Sequence, residues 1–176
     1  QIGGDGLNSG WTSGSVQYSL LYTGSTLYAT YYYGTTAAGI YTYNGSSWTQ
    51  FAGQYVNKSW GSGSLTSPHS MTSHNGKLYA GMASTGTATV WEYDGSSWSV
   101  IGGQGIGSSW AAGGAYSTLL ALISYKGSLY AGIGGSGGAE LWSYNGSSWT
   151  KVGGDGTGSS WSGSGPPGYY LATSGG

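Results

Sequence analysis

A set of marks recurs along this chain at an interval of about fifty residues, and no other feature restricts its fold so strongly. Trp11, Trp60, Trp110 and Trp161 stand 49, 50 and 51 residues apart. Gly4, Gly53, Gly103 and Gly154 keep the same steps, and each is followed by Asp5, Gln54, Gln104 or Asp155, six residues before its Trp. Leu27-Tyr28-Ala29 returns as Leu78-Tyr79-Ala80 and Leu129-Tyr130-Ala131, always 51 residues on. Tyr43-Asn44-Gly45-Ser46-Ser47-Trp48 returns as Tyr93 to Trp98 with Asp94 for Asn, and again as Tyr144 to Trp149. The interval from Trp to Leu-Tyr-Ala drifts through 16, 18 and 19 residues, whereas Trp48, Trp98 and Trp149 each precede their Gly by five. Drift of that kind marks a surface loop.

Each unit reads as four short strands. Glu140-Leu141-Trp142-Ser143-Tyr144 alternates with period two, Asn145-Gly146 supplies the positive φ of a tight hairpin turn, and Trp149-Thr150-Lys151-Val152 returns. Upstream, Leu119 to Tyr125 is a β-rich run, Lys126-Gly127 a turn, and Ser128 to Gly132 a second run ended by glycines. The order is strand, turn, strand, Gly-rich loop, strand, turn, strand, then a long loop carrying Gly-Asp/Gln and the Trp. No segment holds a 3.6-residue period, and Gly interrupts every candidate helix. Four strands at a period near fifty are the mark of a β-propeller blade, so the expected fold is all-β, a propeller of four-stranded antiparallel blades. A ring of blades also leaves few sheet edges open to stray pairing.

The count of units is not whole. Residues 1–50, 51–100 and 101–151 make three units and 152–176 half of a fourth, all within one repeat domain. Gln1-Ile2-Gly3 is expected as a last strand and the region of Tyr169 to Ala172 as a first strand, which leaves one divided blade without its middle strands. Propellers have about four to eight blades, so the chain is expected either to belong to a longer repeat protein or to self-associate and complete the divided blade, as a closed oligomer or a filament. Its start at Gln1 rather than Met points to a processed or partial chain.

Composition narrows the function. Of 176 residues 38 are Gly, aromatics make up 15% and charged residues 5%. Four lysines and no arginine cannot displace counterions from a polyanion, so nucleic acid is not an expected partner. No run approaches the 18 apolar residues of a membrane span, so no membrane insertion is expected. Absence of cysteine removes disulfides and thiolate metal sites. Abundant Gly, Ser, Thr, Asn, Tyr and Trp with little charge is a habit of extracellular binding and structural proteins, which makes an extracellular or cell-surface location the expectation.

In layout, the stretch from Leu129 to Trp149 resembles kelch repeats, although Tyr144 and Trp149 are closer together than the kelch Tyr and Trp. The order Trp149, Val152-Gly153-Gly154, Trp161 and the Gly127-Ser128-Leu129-Tyr130-Ala131 run is also similar to the tachylectin-2 and tectonin type of sugar-binding propeller. That resemblance implies carbohydrate binding in pockets between adjacent blades, one per repeat. Only the Gly-Asp/Gln positions and the following Trp carry over.

Two sets of tryptophans divide on this basis. Trp48, Trp98 and Trp149 follow a hairpin turn directly and read as filling between blades; Trp91 and Trp142, matched by Tyr41, read as packing too. Trp11, Trp60, Trp110 and Trp161 lie in Gly/Ser-rich loops together with Asp5, Gln54, Gln104 and Asp155. A sugar site needs an aromatic plate for the C–H face and a few fixed amides or carboxylates for hydroxyls, and these eight residues supply both without net charge. The competing reading has each Trp folded back as a plug under its own loop.

The remaining motifs point away from other chemistry. Gly-Gly-Asp-Gly at Gly3 and Gly153 has a calcium look, but Gln54 and Gln104 replace the Asp in two units and the oxygen count falls short, so no metal or cofactor is expected. His69 and His74 fall in one unit with no matching acid, so no enzyme is expected. Asn44, Asn57 and Asn145 begin Asn-x-Ser acceptor sequences, with Asn44 and Asn145 better explained as turn residues. The expected function is a lectin-like module binding neutral glycans at repeated shallow sites; the alternative is a structural or adhesive subunit that self-assembles.

Overall fold

A computed structural model describes residues 16–33, 37–53, 55–60, 67–83, 86–110, 116–154 and 157–161. They form three four-stranded antiparallel sheets and no α-helix. Sheet 1 holds β1 (Val16–Thr23), β2 (Thr26–Tyr33), β3 (Ala37–Tyr43) and β4 (Trp48–Ala52). Sheet 2 holds β5 (Ser67–His74), β6 (Lys77–Ala83), β7 (Thr89–Tyr93) and β8 (Trp98–Gly102). Sheet 3 holds β9 (Thr118–Tyr125), β10 (Ser128–Gly135), β11 (Gly138–Tyr144) and β12 (Trp149–Gly153). In each, spatial order follows chain order, as four-stranded propeller blades require, but the three sheets do not close into a ring. The expected strands at Gln1 to Gly3 and Tyr169 to Ala172 lie outside the described residues.

Register repeats as faithfully as sequence. Leu20, Met71 and Leu122 pair with Ala29, Ala80 and Ala131, so these three are equivalent positions on the first strands. A bulge recurs between the third and fourth strands, at Ile40/Tyr41, Val90/Trp91 and Leu141/Trp142. The first turn of sheet 3 is the expected two-residue one: Lys126 and Gly127 both take positive φ between the paired Tyr125 and Ser128. Asn75-Gly76 does the same in sheet 2.

The second turn differs from the two-residue reading. Tyr43 pairs with Trp48, Tyr93 with Trp98 and Tyr144 with Trp149, which encloses four residues, and of these only Gly45, Gly95 and Gly146 take positive φ. The preceding Asn or Asp acts through its side chain instead: Asn145 Oδ1 accepts from the amides of Ser147 and Ser148, both at 3.0 Å, and Asn44 and Asp94 do likewise. The two serines therefore belong to the turn.

Neighbouring sheets pack face to face with their first strands toward the preceding sheet: β5 lies against β1, β2 and β3, and β9 against β5 and β6. One cluster (Ile40, Trp60, Met71, Met82, Trp98) fills the space between sheets 1 and 2, and a second (Tyr79, Val90, Trp110, Leu122, Trp149) fills that between sheets 2 and 3. Close approach relies on glycine where it matters, since a Cβ on Gly81 would run into the Leu119 side chain of the next sheet. Trp149 reaches back across the gap, its backbone N–H donating to Gly107 O at 2.7 Å and its indole N–H to Ile101 O at 2.9 Å.

Candidate functional site

The Gly-to-Trp loops that begin at Gly53, Gly103 and Gly154 share one architecture in their described residues. In each, the first Gly is bridged to the residue three on (Gly53 to Val56, Gly103 to Ile106, Gly154 to Thr157), and the Ser before the Trp accepts that Gly amide on its Oγ. Gly103 requires glycine twice over: its φ is +99°, and a Cβ there would meet Ala88 O. In these three loops the indole N–H then donates to a carbonyl 22 residues upstream: Trp60 to Ala38 at 3.0 Å, Trp110 to Ala88 at 2.8 Å, Trp161 to Ala139 at 2.9 Å.

Where a following sheet packs over the loop, the ring is also covered. Trp60 and Trp110 are buried, each set edge-on to two indoles of the following sheet: Trp60 to Trp91 and Trp98, Trp110 to Trp142 and Trp149, with centroids 5.5–5.8 Å apart. Neither presents a face on which a sugar ring could stack. Gln104, expected to act beside Trp110, sits exposed in the left-handed region of the loop, whereas the Trp110 ring is buried. The physical reason is that a following sheet removes these two indoles from water while each N–H keeps its carbonyl partner. Trp161 is exposed. Asp5, Trp11, Gln54 and Asp155 lie outside the described residues.

Concavity lies elsewhere, at the turn end of the interface between sheets 1 and 2. A cleft of about 460 Å³ opens there, lined by Thr23 and Tyr28 from sheet 1, Ser73, His74, Asn75, Lys77 and Tyr93 from sheet 2, and Ser124 from sheet 3. Two tyrosines give it an apolar wall: Tyr28 and Tyr93 each stand edge-on to Phe51, at 5.3 and 5.0 Å. Burial raises the phenol pKa of Tyr28, so the hydroxyl stays protonated. Hydroxyl, amide and imidazole groups fill the rest, and the one cation, Lys77, is held 2.7 Å from Glu92, which raises its pKa.

Repeat equivalence shows why the cleft is here. His74 of sheet 2 stands where Thr23 stands in sheet 1, and its Nδ1 lies 2.7 Å from Ser124 Oγ across the next interface. A bulkier ring thus spans between sheets 2 and 3 what Thr23 and Ser73 leave open between sheets 1 and 2. In the sequence His74 stands out only as a histidine without a matching acid; the signal for the cleft is its departure from the repeat, His against Thr23.

The charged groups of sheet 3 serve packing. Buried Glu140 accepts from Tyr116 Oη at 2.9 Å, from Trp142 Nε1 at 2.8 Å and from Lys151 Nζ at 2.7 Å. Burial pushes its carboxyl up, but these three donors together hold it below the ordinary value. Among the described residues no group of three or more His, Asp or Glu is placed to hold a metal ion.

These observations define an all-β repeat protein of stacked four-stranded antiparallel sheets with an intersheet cleft of neutral hydrogen-bonding groups. Comparison with protein-family models gives no match, and neither does comparison with curated proteins.

Proposed function

We propose that this chain is part of a β-propeller lectin in which the three sheets are successive blades and a neutral saccharide is taken up in the cleft between sheets 1 and 2. The observation that carries this reading is the composition of the cleft: tyrosine edges beside hydroxyls and an amide, with its one cation already paired. Sugar hydroxyls exchange hydrogen bonds with such groups at low desolvation cost, and an apolar wall takes the C–H face. The reading moves the site from the Trp loops to the turn end of the interface, and it keeps the resemblance's placement between adjacent blades. Exposure to glycans at a cell surface is part of it.

A glycan array followed by titration calorimetry tests the proposal. Asn75→Gly keeps the positive φ of 49° available while removing the amide, and Ser73→Ala removes a hydroxyl. Each is expected to weaken binding at least tenfold with the fold intact, while Gln104→Ala leaves it unchanged. If the folded chain binds no glycan on the array, or binds equally well in all three variants, the reading is wrong.

A further inference from the structure

Leu20, Trp161 and Val152 break the burial pattern of the repeat, and they do so at opposite faces of the stack. Met71 and Leu122 are 6% and 5% exposed because each sits under the preceding sheet; their equivalent in sheet 1, Leu20, is 60% exposed. Tyr22, two residues along the same face, is 71% exposed, while Leu21 on the other face packs into the cluster shared with sheet 2. At the far end, Trp60 and Trp110 are 5% and 1% exposed and Trp161 is 49% exposed. Val152 is also exposed, whereas its counterpart Phe51 lies edge-on to Trp98 of the following sheet, 6.0 Å between centroids. Clustered large apolar side chains left in water mark an interaction surface.

We infer that copies of this chain associate head to tail, with the Val152 and Trp161 face of sheet 3 in one copy seated against the Leu20 and Tyr22 face of sheet 1 in the next. Among the described residues the two faces are the unfilled halves of one interface that the molecule already builds twice, between sheets 1 and 2 and between sheets 2 and 3. A second copy is therefore the occupant whose shape is given by the structure itself. The contact joins unlike faces, so it makes rings if the rotation closes and filaments if it does not. It does not depend on sugar binding.

Sedimentation velocity of the full chain across micromolar concentrations, without glycan, tests this. Wild type is expected to associate with rising concentration. Leu20→Glu and Trp161→Glu, both at exposed positions and checked for an unchanged β-sheet spectrum, are each expected to be monomeric. Their equimolar mixture is expected to give a dimer and nothing larger, because each variant retains the face that the other lacks. A monomeric wild type overturns the inference, as does association of wild type only after removal of residues 162–176, which would make that segment the occupant. Variants that still associate, or a mixture that stays monomeric, overturn it too.

Discussion

Trp98 and Trp149 occupy equivalent places and hold equivalent poses, 5.7 and 5.5 Å from Trp60 and Trp110 with interplanar angles of 68° and 67°. Trp149 Nε1 donates to Ile101 O, but Trp98 Nε1 is sealed from solvent with no partner among the described residues. The cause is one residue in the intervening loop. Asn57 donates its Nδ2 to Phe51 O at 2.8 Å, the carbonyl equivalent to that of Ile101, whereas Gly107 at the matching place leaves Ile101 O to the indole. Asn57→Gly is therefore expected to hand Phe51 O to Trp98.

A buried N–H without a partner costs about 1–3 kcal/mol, and the exposed Asn57 bond contributes about 0.5–1.5 kcal/mol. Relief of the left-handed φ of 52° at Asn57 roughly offsets the added freedom of Gly in the unfolded chain. The net is a gain of about 1 kcal/mol, or a melting temperature higher by roughly 2–4 °C for a chain of this size. Gly107→Asn is the reciprocal change. A Cβ there meets Ile101 O at 3.3 Å, close enough for the new amide to claim that carbonyl and orphan Trp149, at a cost of about 1–3 kcal/mol. Thermal melting followed by circular dichroism, with indole N–H exchange by NMR, reads both variants. Slower exchange at Trp98 should accompany the gain. A lower melting temperature for Asn57→Gly, or shifts of the same sign in both variants, would refute the reasoning.

Trp110→Ala should cost about 3–5 kcal/mol in urea unfolding, as a deeply buried aromatic does, while Trp161→Ala costs under about 1 kcal/mol at low protein concentration; equal losses would show that the two rings share an environment. Gly103→Ala meets Ala88 O and Thr89 at a φ of +99°, and a loss above about 2 kcal/mol is expected, against about 1–2 kcal/mol for Gly105→Ala, whose Cβ would meet nothing within 4 Å. Amides of Ser97 and Ser96 and the Ser96 hydroxyl hold the Asp94 carboxyl at about 2. Because that folded-state pKa is depressed, its support for the turn is complete above the ordinary carboxylate pKa and is lost as pH falls through about 2. A carboxyl-carbon NMR titration with its midpoint near 4 would contradict the hydrogen bonding, and Asp94→Asn, matching Asn44 and Asn145, should abolish the pH dependence of the turn.

Strand order was readable in the sequence because alternation in Glu140 to Tyr144 and the Lys126-Gly127 pair act over a few residues, the range on which strands and turns are decided. The fate of Trp60 and Trp110 was not, since a Gly/Ser-rich loop looks the same whether its indole points in or out. A carbonyl 22 residues upstream takes the indole N–H in all three described loops. What separates buried Trp60 and Trp110 from exposed Trp161 is a following sheet whose Trp98 or Trp149 lies against the ring. The four-residue turn hid for a related reason: Asn-Gly alone suggests a two-residue hairpin, and the decisive bonds come from serine amides further on. The cleft depends on how β5 lies against sheet 1, a tertiary relation with no local trace beyond the change from Thr23 to His74.

The backbone bonds from Trp98 to Asn57 O and from Trp149 to Gly107 O have a consequence for descent. Part of what receives each following sheet is thus carried on the loop immediately before it, so a duplication that spans loop and sheet would copy donor and acceptor together.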